Sequence, residues 1–193
     1  MQNGELLPFA AIHYPKGFHI DQLLSETCSY LSKTGLRLGG LLQISTGGVG
    51  GCATSVHTVD LRTGEEFDIW EKRGACAKGC RLDERGLVLA SAVIEKAIED
   101  GVDLIIVNRF GRAESLRRGL LDCFINALEA QIPVLTAVRE PYDGAWAQFH
   151  GGLAVDLVND HALICDWAQR STSLPLDVAP AEQFVQRRGH EML

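Results

Sequence analysis

Apolar and polar positions follow two different periods along this chain, and the two take turns. Phe9–His13 is a short apolar run ending at Tyr14-Pro15-Lys16-Gly17, which reads as a strand entering a loop. From Ile20 the spacing turns helical. Ile20, Leu23, Leu24, Cys28 and Leu31 share one face, and Gly35 closes the helix. Leu36–Gln43 reads as a second buried strand. The run from Ser45 to Gly51 is too glycine-rich for regular structure and reads as a lid or plain connector. Val56–Leu61 and Glu66–Trp70 flank Arg62-Thr63-Gly64-Glu65, a hairpin signal. Asp83 is placed to cap a helix running to Glu99, with Leu87, Ala90, Ile94, Ala97 and Ile98 on its apolar face and Gly101 as its stop.

Asp103–Val107 is β-branched and apolar enough to be a strand buried on both faces. A polar segment follows, Asn108–Gly119, then a helix near Leu120–Ala130 and a strand at Pro133–Val138. Tyr142–His150 reads as helix and Leu153–Leu157 as strand. A last helix, capped by Asn159, ends near Arg170. The tail from Ser171 has prolines and mixed polarity and reads as extended or disordered. Such alternation implies an α/β fold: one domain over residues 1–170, a mainly parallel sheet between two helical layers, with an inserted or edge β-hairpin. Residues 171–193 form the tail. In open sheets of this kind ligands bind beyond the C-terminal strand ends. The informative loops are therefore Tyr14–Asp21, Gln43–Gly51, Asn108–Arg118 and Arg139–Gly144.

Charge and composition narrow the partners. The formal net charge is −7 over 193 residues, which disfavours nucleic acid and membrane surfaces as general partners. No apolar run approaches the ~20 residues of a membrane helix, and Met1–Gly17 does not read as a signal peptide. Cys28, Cys52, Cys76, Cys80, Cys123 and Cys165 are scattered, as reduced thiols of a cytoplasmic protein are. An anion site, if present, must come from a local basic cluster.

One segment carries a resemblance. Leu104-Ile105-Ile106-Val107-Asn108-Arg109-Phe110-Gly111-Arg112-Ala113-Glu114 resembles the THEP-type nucleoside triphosphatases, in which an apolar strand runs into Asp-Glu-Ile-Gly-Lys-x-Glu. The chain is more closely similar to a bacterial family of domains of unknown function often encoded beside molybdate-transport genes. Cys80-Arg81-Leu82-Asp83, Asn108–Glu114 and Ala145-Trp146-x-x-Phe149 carry that similarity, which covers roughly Pro8 to Arg170. It implies a P-loop-NTPase-like three-layer fold and a link to molybdenum or molybdate homeostasis.

The departures from the P-loop pattern all point one way. A Walker A loop is Gly-x-x-x-x-Gly-Lys-Ser/Thr, whose amides and lysine hold phosphates and whose hydroxyl holds magnesium. Here the matching stretch, His13–Asp21, has one glycine and no Gly-Lys-Ser/Thr. Asn108 stands where the magnesium-anchoring aspartate should be, and Arg109 where the activating glutamate should be. Asparagine is a weak neutral ligand for a hard cation; arginine repels the cation and stays protonated. Asp21 would repel a phosphate if it pointed into the loop. Standard magnesium-dependent hydrolysis is not expected, and no metal or cofactor is implied.

The expected ligand is a small anion or nucleotide phosphate held by Lys16, Gly17, His19, Asn108, Arg109, Arg112 and Glu114. Arg109 would supply the charge that the metal supplies elsewhere, in the planar fork that suits tetrahedral oxyanions. The plainer alternative is a solvated face, with Arg112, Arg117 and Arg118 paired to Glu114 and Asp122. Cys80 is a candidate reactive thiol beside Lys78 and Arg81; Cys76 and Cys80 also read as a turn before the Asp83 cap. His150 and His161, near helix ends, read as structural. Two other classes stay open. One is a nucleotide hydrolase or phosphotransferase with His19 or Glu114 as base. The other is an interaction module, with or without self-association, that docks near Trp146.

Overall fold

The structure is a computed structural model and describes residues 6–47, 53–68, 84–173 and 176. The elements run β1 (Phe9–His13), α1 (Ile20–Lys33), β2 (Leu38–Gly47), β3 (Ala53–Asp60), β4 (Glu66–Phe67), α2 (Glu84–Glu99), β5 (Leu104–Val107), α3 (Arg112–Ser115), α4 (Leu121–Glu129), β6 (Val134–Val138), α5 (Asp143–His150), β7 (Ala154–Val158) and α6 (His161–Ser173). The strands form one sheet in the order β4-β3-β2-β5-β6-β1-β7. From β2 to β7 every neighbouring pair is parallel; β3 and β4 add an antiparallel edge. The fold is thus the α/β architecture that the strand–helix alternation implies, with the hairpin at the sheet edge.

The central strands are apolar without alternation because both of their faces are covered. On β1, Phe9 and Ala11 face one core and Ala10 and Ile12 the other. On β5, Ile105 and Val107 join the first core, Leu104 and Ile106 the second. The first core is closed by α2, α4 and α5. Its centre is an aromatic cluster of Phe9, Phe110, Phe124, Trp146 and Phe149, in which Phe110 and Trp146 stand edge to face at 5.2 Å. The second core is closed by the apolar stripes of α1 and α6, from Ile20 to Leu31 and from Ile164 to Ala168.

Close backbone approach explains one glycine. Gly40, on β2 beside β5, has φ +101°, and a Cβ there would lie 2.1 Å from the Ile106 carbonyl oxygen. Gly35 behaves as the helix stop its position suggested, at φ +95° just after the Thr34 cap of α1.

Three local expectations are corrected. The Ser45–Gly51 stretch is not wholly irregular, because β2 runs through Gly47 and pairs back on β3 with a register shift at Thr46/Gly47. Antiparallel partners satisfy the backbone there despite the glycines. The final helix is capped by Asp160 rather than Asn159: Asp160 Oδ1 accepts the amides of Ala162 at 2.9 Å and Leu163 at 3.1 Å. That helix runs through Ser173, past the expected end near Arg170 and three residues into the expected tail. The rest of the tail, Leu176 apart, lies outside the described residues, as do Cys52, Cys76, Lys78, Cys80, Arg81 and the Asp83 cap.

Candidate functional site

The parallel strands bring the loops after β1, β5 and β6 to one edge of the sheet, and β2 delivers Gln43 to the same edge. β6 lies between β1 and β5. The loop after β1 begins at Tyr14, whose amide donates to the Val138 carbonyl at 3.3 Å, and turns through Pro15–Phe18. Gly17 adopts φ +90° with open space around it. Lys16, Gly17 and His19 are all exposed, and His19 precedes α1 without capping it through its side chain.

At the end of β5, Asn108 and Arg109 are fixed by their neighbours. Phe110 is buried in the aromatic cluster and its amide donates to the Ala137 carbonyl at 3.0 Å. Burying a phenylalanine side chain stabilises by about 1.5–3 kcal/mol, so the backbone one residue earlier is held in place. Asn108 Oδ1 accepts the Gln43 amide at 3.1 Å, which ties β5 to β2.

Asp21, in the first turn of α1, meets both residues. Its Oδ1 accepts from Arg109 Nη2 at 2.7 Å and from Asn108 Nδ2 at 3.1 Å. Gln43 Nε2 stands 3.5 Å from its Oδ2. The carboxylate therefore points toward β5, and the Asp21–Arg109 ion pair closes a contact between residues 88 apart in sequence. Arg109 Nε is buried and has no hydrogen-bond partner among the described residues. The side chains are 37% exposed for Arg109 and 19% for Asp21. Pairs that exposed are worth about 0.2–1 kcal/mol net, so this one can be opened by a stronger partner.

The carboxylate nearest Asn108 is engaged rather than open to a metal ion. A hard cation needs oxygen ligands, and the carboxylate that Asn108 touches is already paired to a guanidinium 2.7 Å away. Arg109 would repel a metal brought to Asp21 Oδ1. Among the described residues no group of three His, Cys, Asp or Glu side chains is arranged to hold a metal ion.

Glu114 is not paired with Arg112 or any other arginine among the described residues. It is 8% exposed, and its two oxygens accept the amides of Gly111 at 3.0 Å and Leu120 at 3.2 Å. Burial pushes its carboxyl above the ordinary glutamate range, and the amide bonds oppose that shift. Its visible work is to shape the loop around α3. Arg112 and Arg118 are exposed and, like Lys16 and His19, form no side-chain hydrogen bond or ion pair among the described residues. The structure thus joins Asn108, Arg109 and Asp21 directly; it leaves Lys16, Gly17 and His19 exposed in the loop after β1 and Arg112 exposed at the start of α3, without a contact that links them.

Two features were absent from the sequence reading. The first is the constructive role of Asp21, signalled only by opposite charges at two C-terminal strand edges. The second is the bridging role of His13, expected only as a neighbour of Lys16 and His19 in the loop: its Nδ1 lies 3.1 Å from Asp143 Oδ1 and its Nε2 lies 2.8 Å from Asp156 Oδ1. It bridges α5 and β7 at the base of the loop after β1. His161 packs edge-on against Tyr30 at 5.6 Å. His150 lies against Trp146, where burial lowers its pKa. Trp146 itself is 1% exposed and belongs to the core. Cys28, Cys123 and Cys165 are buried free thiols. Among the described residues no helix is long and apolar enough to cross a membrane.

Comparison with known proteins agrees with this fold. A human cancer-related nucleoside triphosphatase, solved in solution, superposes with a TM-score of 0.60 over 84% of this chain and 95% of that one, at 14% identity. That likeness shows the fold. A molybdenum import ATP-binding protein, ModC 2 of Bradyrhizobium diazoefficiens (strain USDA 110), is 38% identical over 164 residues. The match takes in 85% of this chain but only 18% of that protein. A family model matches residues 9–167, so the chain belongs to the family described as "Protein of unknown function (DUF2478)".

Proposed function

We propose that this domain binds an oxyanion, either a nucleotide phosphate or a molybdate-like ion, without the magnesium-dependent hydrolysis of a working P-loop enzyme. The observation that carries the reading is Arg109. A permanent cation stands at the end of β5, where the P-loop pattern keeps its magnesium-anchoring and activating carboxylates, and it is held there by Asp21 at 2.7 Å. Its buried Nε has no hydrogen-bond partner among the described residues. A guanidinium offers tetrahedral oxyanions two parallel hydrogen bonds. Exposed Lys16 and His19 in the loop after β1 and Arg112 at the start of α3 add positive or polar groups at the same edge. The N-terminus of α1 adds a favourable dipole.

A role in molybdenum homeostasis is supported by the relative named for molybdenum import, of which this chain matches a minor part. The domain would then sense or carry an anion beside a transport ATPase. The hydrolase alternative loses one of its two candidate bases, because Glu114 is buried and held by two amides. The docking alternative loses Trp146 as an exposed anchor.

The test is thermal shift with ATP, GTP, ADP, phosphate, sulfate, molybdate and tungstate, each with and without magnesium. A ligand that binds only the folded state raises the melting temperature by mass action, by about 2.7 kcal/mol of stability at a hundredfold excess over Kd. The expected result is a shift that ignores magnesium and disappears in Arg109→Ala. A shift that requires magnesium, or one that survives Arg109→Ala, overturns the reading.

A further inference from the structure

Resting on the reading of Arg109 as the anion-binding cation, we propose that Asp21 is a tethered substitute ligand: in the free protein its carboxylate fills the oxyanion position, and a bound anion must displace it. Three of the groups that would recognise an external oxyanion converge on this side chain. Its Oδ1 takes the Arg109 guanidinium at 2.7 Å and the Asn108 amide at 3.1 Å. The Gln43 amide group stands 3.5 Å from its other oxygen. Asp21 sits in the first turn of a 14-residue helix, where amide donors and the helix dipole favour negative charge. His19, the residue before that helix, leaves these donors uncapped by its side chain.

A side chain in the first turn can swing away by rotation about its own bonds, without moving the helix. Displacement leaves Arg109 and Asn108 facing the incoming anion. It also sets a threshold: the ligand must outcompete a monovalent carboxylate whose effective concentration is high because it is tethered. Multiply charged oxyanions, such as a nucleoside triphosphate or a tetrahedral metal oxyanion, meet that threshold better than singly charged ones. The residue thereby acts as a specificity determinant of the site and as an internal brake on it.

The test is isothermal titration of ATP and, separately, of molybdate, without magnesium, into the wild-type chain, Asp21→Asn, Asp21→Ser and Arg109→Ala. Asparagine preserves the size of the side chain and removes its charge. Serine repeats the neutralisation should the first variant fail to fold, and melting temperatures check both. The expected outcome is that each neutral variant binds about two- to fivefold more tightly than wild type, with binding lost in Arg109→Ala. Binding by the neutral variants alone also supports the brake and shows the wild-type site to be shut. Unchanged or weaker binding in both variants, while wild type binds through Arg109, overturns the proposal and leaves the anion site standing. No binding by wild type or by either neutral variant removes both.

Discussion

Glu114 offers the sharpest test of how the site loop is held. Replacing it with alanine removes the acceptors of two backbone amides, Gly111 at 3.0 Å and Leu120 at 3.2 Å. A buried amide left unpaired costs about 1–3 kcal/mol. The Leu120 amide bears that cost in full because its hydrogen bond is buried, and the Gly111 amide bears less because its bond is half-buried. Glu114→Ala should therefore destabilise by about 2–4 kcal/mol. Glu114→Gln keeps one acceptor and turns an amide group toward the other N–H, so its cost at neutral pH is smaller. The two differ in pH dependence as well. Burial raises the Glu114 pKa above its unfolded value of 4.5, so the folded state binds more protons once the unfolded glutamate ionises. Its contribution is then greatest below about pH 4 and is lost as the pH rises through the raised value. The glutamine variant does not titrate there. Urea denaturation from pH 4 to 7 should show wild type losing stability relative to Glu114→Gln as pH rises. A cost of Glu114→Ala below about 0.5 kcal/mol, or a wild-type advantage that grows with pH, would refute the burial argument.

Three further outcomes follow from the packing. Gly40→Ala should fail to give soluble folded protein, since its Cβ would lie 2.1 Å from the Ile106 carbonyl oxygen at φ +101°; a normal yield and circular dichroism spectrum would contradict the register of β2 on β5. Trp146→Ala should cost about 3–5 kcal/mol in chemical denaturation, because the ring is 1% exposed at the centre of the aromatic cluster; a loss under 1 kcal/mol would place it outside the core. Burial pushes the Cys28 thiol up to about 12 and the Cys123 thiol up to about 11. Both should resist iodoacetamide at pH 8 in the native protein and react in urea, as read by mass spectrometry, whereas free-thiol rates in the native state would contradict their burial.

The fold was legible wherever periodicity is forced by burial. The run at β5 is apolar at every position because two helical layers cover it, and the stripe on α1 repeats at helical spacing because one face meets the sheet. Legibility failed where partners distant in sequence decide local structure. Ser45–Gly47 looks irregular by composition, yet the antiparallel return of β3 supplies its hydrogen bonds. Asn159 and Asp160 are adjacent good caps, and only the geometry of the turn selects Asp160.

The site divides along the same line. The place of Asn108 and Arg109 at the end of β5 is legible in the chain, because the apolar run Leu104–Val107 leads directly into them. What the chain does not spell out is that the carboxylate missing from β5 has a counterpart on α1. Read alone, Asp21 looks like an obstacle to phosphate; placed 2.7 Å from Arg109, it becomes the arginine's partner. Taken with the neutral Asn108, the pair inverts the usual division of charge. The strand end carries the cation and the helix carries the anion, where a magnesium-dependent site sets a carboxylate on the strand against a cationic loop and helix start. On the reading proposed above, the ion pair rather than a metal ion would hold such a site together. If an oxyanion replaces Asp21 as proposed, it would restore the same pairing with an external charge, so the helix-borne carboxylate and the strand-borne arginine have to be varied together to learn what this edge of the sheet binds.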